Sequence, residues 1–115
     1  MRIERQIEEY IGRHVKEMGG LWYKFVSPGN AGVPDRILLL PPRDGDQHGE
    51  AGPMIRFVEL KDEDGALSPQ QRSQIRRIRK RGFSVDVIFG MKQAMEYVDL
   101  LQAGDEKQDS EEAWV

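Results

Sequence analysis

Asp35 follows a proline at the start of one apolar run, and Glu59 and Lys61 stand two residues apart at the end of the next. Two carboxylates and an ammonium are thus offered at the ends of neighbouring extended segments. Side chains two apart on a strand point the same way, so Phe57, Glu59 and Lys61 share one face while Val58 and Leu60 take the other. With Leu60 in the core, Glu59 and Lys61 emerge together toward solvent or a cleft. Pro34 holds Val33 extended and helps fix where Asp35 sits. If paired strands bring Asp35 near Glu59, like charges oppose double ionisation and push one apparent pKa upward. A divalent cation reverses that penalty, because both acids become ligands. The backbone carbonyl of Leu60 can add a third protein oxygen, with water and phosphate completing a roughly octahedral shell. The chemistry this suits is metal-dependent attack on a phosphodiester by activated water. Lys61 is placed to orient the hydroxide and to offset charge on the phosphoryl oxygens. Taken singly, a turn aspartate and a solvated Glu and Lys edge have ordinary explanations. It is their combination that carries the reading.

Composition narrows the choice of ion. The chain has no cysteine, which excludes disulfides and thiolate zinc sites. His14 and His48 cannot by themselves build a histidine-rich centre, leaving oxygen ligands and a hard cation, Mg2+ or Mn2+. At 115 residues the chain can form one compact α/β core but no second substantial domain. Extra catalytic or DNA-gripping surface would have to come from another subunit or partner. No apolar run approaches the roughly 18 to 20 residues of a membrane span, and MRIERQIEEYIGRH has no long apolar core. A soluble, cytoplasmic protein is expected. The net charge of −3 hides an uneven distribution: GDEKQDSEEAWV is acidic, whereas Arg72, Arg76, Arg77, Arg79, Lys80 and Arg81 form a basic stretch. Phosphate binding depends on the local patch, so a mildly acidic total does not exclude a nuclease.

The elements that must position these groups follow from periodicity. Ile3, Ile7, Tyr10, Ile11 and Met18 predict an amphipathic helix over about 3–18, stopped by Gly19 and Gly20. LWYKFV, DRILLL and IRFVELK read as strands. PPRDGDQHGEAGP, between the second and third, reads as a mobile excursion with nothing to build a core. Ser68, Pro69 and Gln71 open a second helix with a hydroxyl cap, a proline and an amide three residues after the cap. Ile75 and Ile78 would face the sheet, and Gly82 ends the helix before the strand FSVDVIF. A last helix over about 91–101 carries Met91, Ala94, Met95 and Val98 on one stripe. The expected fold is a mixed central sheet flanked by helices, its second and third strands antiparallel and its third and fourth parallel. Residues 104–115 are expected to be a disordered tail, with Trp114 free to dock.

The wider string extends the argument. SPGNAGVPDRILLL, FVELK, DGALSPQQ and RRGFSVDVI resemble the VRR-NUC nucleases of the PD-(D/E)xK superfamily over about residues 1–100. The resemblance implies a restriction-endonuclease-like fold in residues 1–103, with Mg2+ or Mn2+ held by Asp35 and Glu59. It also implies an acid on the first helix, for which Glu4 and Glu8, one turn apart, are both candidates. Gln71 matches a characteristic glutamine of the family. Its spacing to Ile75 and Ile78 independently points it at the sheet, where it needs a partner such as metal-bound water, Glu59 or Lys61. The plain alternative is a capping-box amide. Ser27, Gly29, Asn30 and Gly32 form a turn whose backbone donors can approach a phosphate, with Lys24 adding charge. Arg72, Arg76, Arg79 and Lys80 line an outer helix face that either grips DNA backbone or is simply solvated. The activity implied is structure-specific endodeoxyribonuclease, first of all resolution of four-way (Holliday) junctions by a homodimer, as in virus-encoded family members acting in a host cytoplasm. The alternatives are flap or other repair cleavage, and a DNA-binding or assembly module that has lost turnover.

Overall fold

The structure, a computed structural model, describes residues 3–42 and 52–103. Helix α1, Ile3–Glu17, forms because Ile7, Ile11 and Val15 recur every four residues, and all three are fully buried. It stops where Gly19 takes φ 84° and Gly20 donates its amide to the Val15 carbonyl at 2.9 Å. Three strands follow: β1 Leu21–Lys24, β2 Arg36–Leu40 and β3 Met54–Lys61. They pair antiparallel in sequence order, and β4, Val85–Phe89, adds parallel to β3 after the crossover through α2, Pro69–Lys80. Helix α3, Gly90–Ala103, leaves directly from β4. This is the mixed α/β arrangement expected, including the antiparallel and the parallel pairing.

Alternation along the strands sorts the side chains into two layers. On one side Leu38, Val58, Leu60 and Ile88 pack under α1 and α3, and on the other Val85 and Val87 pack under Ile75 of α2. Full burial of an aliphatic side chain such as Leu38 or Ile75 stabilises by roughly 1.5–3 kcal/mol. The two-layer arrangement matters for chemistry, since Glu59 belongs to the α2 layer.

The last helix differs from its expected face. Its buried stripe is Ala94, Tyr97, Val98 and Leu101, whereas Met95 is 49% exposed. The rotation brings the Tyr97 hydroxyl within 2.5 Å of an Asp86 carboxylate oxygen. Asp86 also receives Nε and Nη2 of Arg56, at 2.6 and 2.9 Å, in a nearly solvent-free ion pair. Arg56 and Asp86 interrupt apolar strands, and that interruption was the available signal for a buried pair. Most of the connection expected to be mobile and the whole acidic tail with Trp114 fall on residues 43–51 and 104–115, outside the described residues.

Candidate active site

The β2–β3 register carries Asp35 to Glu59. Arg36 lies opposite Val58, so the preceding residue, Asp35, falls opposite Glu59, the two on one face of the sheet. On its other flank, the Asp35 carbonyl accepts from the Phe25 amide at 2.8 Å. The Glu59 carboxyl in turn accepts a hydrogen bond from the Asp35 backbone. Glu59 is only 5% exposed because the first turn of α2 lies over it. Burial, reinforced by the Asp35 charge, pushes its pKa up to about 7. Lys61 pulls in the opposite direction, and Glu4 adds a further upward push. Asp35 and Lys61 are each half-buried, so the three groups singled out by spacing are brought together at one end of the sheet.

Gln71 shows that its two expected roles are compatible. Its Nε2 donates to Glu59 Oε2 at 3.2 Å, while its Oε1 accepts from the Ser68 amide at 2.8 Å. The Ser68 hydroxyl accepts from the Gln71 amide at 3.1 Å, completing a capping box. The carboxamide thus joins the helix cap to the buried acid. The loop before Asp35 fits closely against the same helix start. A Cβ on Gly32 would lie 2.6 Å from the Gln70 carbonyl carbon and oxygen, and its φ of 92° favours glycine as well. Gln74 Nε2 reaches the Ala31 carbonyl at 3.5 Å.

An open cleft of about 380 Å³ lies beside Asp35, lined also by Glu4, Arg5, Glu8, Lys24, Arg36 and Leu60, whereas Glu59 does not line it. The two helix acids have different surroundings within it. Glu8 pairs with Arg36 Nη2 at 3.1 Å, and Arg36 Nη1 donates to the Asp35 carbonyl at 3.0 Å. Glu4 is the helix acid felt by Glu59. Arg36 was not singled out from the sequence, although its place next to Asp35 was the available clue.

The expected DNA contacts divide. Lys24 is exposed in the cleft, and Arg72, Arg76 and Lys80 are exposed on α2. Arg79 is half-buried instead, its Nη2 donating to the Val85 carbonyl at 2.6 Å, because the last turn of α2 runs over β4. The Ser27 hydroxyl and Asn30 amide bond each other at 2.9 Å and close the turn, while Gly29, with φ 82°, has open space around it.

The donor set fits a hard divalent cation. Among the described residues no three His, Cys, Asp or Glu side chains cluster as ligands; the oxygen groups at this end of the sheet are the facing carboxyls of Asp35 and Glu59, with Leu60 lining the cleft beside Asp35. Oxygen donors of that number leave coordination positions for water and a phosphate. A buried carboxyl raised by a second carboxylate is also the electrostatic signature of a site that gains by binding positive charge.

Comparisons with known proteins agree with the fold. "Putative nuclease p44" of Acyrthosiphon pisum secondary endosymbiont phage 1 is 38% identical over 90 residues, spanning 76% of this chain and 86% of that protein. A solved VRR_NUC domain superposes with TM-score 0.71 at 31% identity, over 86% of this chain and 97% of the other. A second, described as a VRR_NUC domain protein, gives TM-score 0.59 at 17% identity, over 90% and 92%, a likeness of fold alone. Residues 4–92, which hold every group of the site from Glu4 to Gln71, match the VRR-NUC domain, and the chain belongs to that nuclease family.

Proposed function

We propose that the chain is a divalent-cation-dependent, structure-specific endodeoxyribonuclease whose first substrate is the four-way DNA junction. The observation that carries the chemistry is the buried Glu59 carboxyl, set against Asp35 and held by Gln71. Asp35, Glu59 and the Leu60 carbonyl would hold Mg2+ or Mn2+, with Glu4 as the helix acid. When bound, the cation supplies Lewis acidity and positive charge at the phosphoryl group. Glu59 must give up its proton for this, which its pKa of about 7 permits near neutrality. Lys61 directs its ammonium at the attacking water and the phosphoryl oxygens. Lys24, the turn carrying Ser27, Gly29, Asn30 and Gly32, and the exposed cations Arg72, Arg76 and Lys80 would receive the DNA backbone, with Arg79 contributing least.

Residues 1–103 form the catalytic unit in this reading. Two protomers would address the two strands of a symmetric junction. Phage-encoded, as the p44 relative is, such an enzyme would work in the host cytoplasm.

The test incubates purified protein with matched linear, flap, splayed and four-way-junction DNAs, in Mg2+, Mn2+ or chelator. Paired symmetric nicks on the junction, abolished by chelator, are expected. Lys61→Met should keep the fold and lower cleavage by about 10²–10³-fold. Near-wild-type cutting by that variant at saturating cation would remove Lys61 from the chemistry. A dominant flap preference would reassign the substrate, and binding without cutting in either metal would favour an assembly module.

A further inference from the structure

Arg36 is the charged member of an otherwise apolar row. Strand alternation puts it on the α1 side of β2 with the buried Leu38 and Leu40, and opposite the buried Val58. An aliphatic side chain would complete that row. The Arg36 side chain is instead a guanidinium only 13% exposed, and its Nε finds no hydrogen-bond partner among the described residues. A buried guanidinium is costly unless its donors are met, and replacing a buried ion pair by apolar groups commonly leaves stability unchanged or raised. Packing therefore gives no reason for arginine at this position.

What the side chain does is join two elements. Its Nη2 meets Glu8 Oε1 on α1 at 3.1 Å, and its Nη1 donates to the Asp35 carbonyl at 3.0 Å. The same carbonyl accepts from the Phe25 amide, so the guanidinium grips the point where β1 and β2 converge on Asp35. A planar fork holds two such acceptors at once, which a point-charged ammonium on a flexible stem does not. Glu4 stands one turn before Glu8, and both line the cleft with Asp35. Helix α1 begins at Ile3, so Glu4 lies in the first turn, where helices fray. Ile7 buries one side of this segment, but an apolar contact is non-directional and leaves it free to slide and rotate, whereas a hydrogen bond has a preferred angle. We infer that Arg36 is a positioning residue, which braces the first two turns of α1 against the Asp35 end of the sheet and so sets where the Glu4 carboxylate stands. The inference rests on the nuclease reading above, in which Glu4 is the helix acid. With both terminal nitrogens engaged and the side chain mostly buried, Arg36 is poorly placed to receive a phosphate, so its loss should act on turnover and not on DNA affinity.

Two variants separate bracing from packing. Arg36→Lys keeps the charge and loses the fork, while Glu8→Gln combined with Arg36→Leu removes the ion pair and completes the apolar row. Thermal melts verify folding, and the double variant should melt no lower than the wild type. Amide hydrogen exchange on the protein free of cation and DNA reads the brace directly. The amides of Ile7, Glu8 and Glu9, whose hydrogen bonds close the first turns, should exchange about tenfold faster or more in both variants, while those of Arg13, Val15 and Lys16 keep their rates. Cleavage kinetics in saturating Mn2+, on whichever of the matched DNAs the wild type cuts best, should show kcat lower by about tenfold or more, with KM and its salt dependence within about twofold of wild type. A raised KM with flattened salt dependence at unchanged kcat would overturn the inference and make Arg36 a phosphate contact. Folded variants that exchange and cut like the wild type would overturn it as well, leaving an ordinary buried ion pair. Either of those results in an active enzyme sinks the positioning role alone, whereas a wild type inert in both metals sinks the nuclease reading and the positioning role together.

Discussion

Gln71 performs two tasks with one carboxamide, and its two ends can be separated by substitution. Gln71→Glu keeps an acceptor for the Ser68 amide but replaces the donor to Glu59 with a like charge. It should retain most of the capping energy, about 1 kcal/mol, while pushing the Glu59 pKa further up and lowering cleavage, through loss of the donor that holds the Glu59 carboxyl. Gln71→Ala should lose both. Thermal melts against cleavage assays distinguish the two, and cleavage that merely tracks stability in both variants would mean that the amide only caps. The helix acids divide in the same manner. Glu4→Gln should abolish most cleavage with little change in melting temperature, since Glu4 is the helix acid whose charge acts on Glu59. Glu8→Gln should mainly weaken the anchoring of Arg36, to which Glu8 is paired. Equal loss of cleavage in both would remove the distinction.

At the scale of elements, the junction between the loop 27–32 and the start of α2 holds the site closed over Glu59. Gly32→Ala places a methyl group against the Gln70 carbonyl in a backbone conformation that alanine resists. A loss of about 2–4 kcal/mol is expected, with cleavage falling further than in a Gly29→Ala control, whose added carbon meets nothing. Denaturant melts and cleavage assays on both variants test this. The same scale shows what could be read from the chain alone. Element order and both strand pairings were legible because alternation and turn chemistry are local, whereas the meeting of Asp35 with Glu59 stood there as a condition, since the β2–β3 register decides it. The different surroundings of Glu4 and Glu8 were not legible, since both lie on one side of α1 and the pairing of Glu8 depends on Arg36, an element away. Met95 and Tyr97 were likewise both compatible with a helical stripe, and contact with Asp86 decided between them. For Gln71 the cap and the acid had looked like rival partners, yet a carboxamide has an oxygen for one and a nitrogen for the other.

At the scale of the whole molecule, Glu59 links stability to pH. Its folded pKa of about 7 lies above the ordinary 4.5, so between these values the folded protein holds a proton that the unfolded chain has released. Stability of the cation-free protein should therefore be fullest below pH 4.5 with respect to this group. It should decline as pH rises through about 7, by on the order of 3 kcal/mol. Melting temperatures across that window should show the decline, and Glu59→Gln should flatten it. A bound divalent cation should oppose the decline, with affinity rising toward pH 7 and a proton released on binding. Calorimetry in buffers of different ionisation enthalpy measures that release, and its absence would mean that Glu59 is already ionised without metal.

The ion pair of Arg56 and Asp86 has a consequence on the other side of the sheet. Were β4 to slide past β3 by one residue, Asp86 would flip to the opposite face and both charges would be stranded without compensation, at a cost of several kcal/mol. Helix α2 ends at Lys80 and β4 begins at Val85, so misaligning that strand would also drag the helix that lies over Glu59. The pair thus acts as a proofreader of strand alignment, keeping the catalytic end in register from a place where no phosphate needs to go.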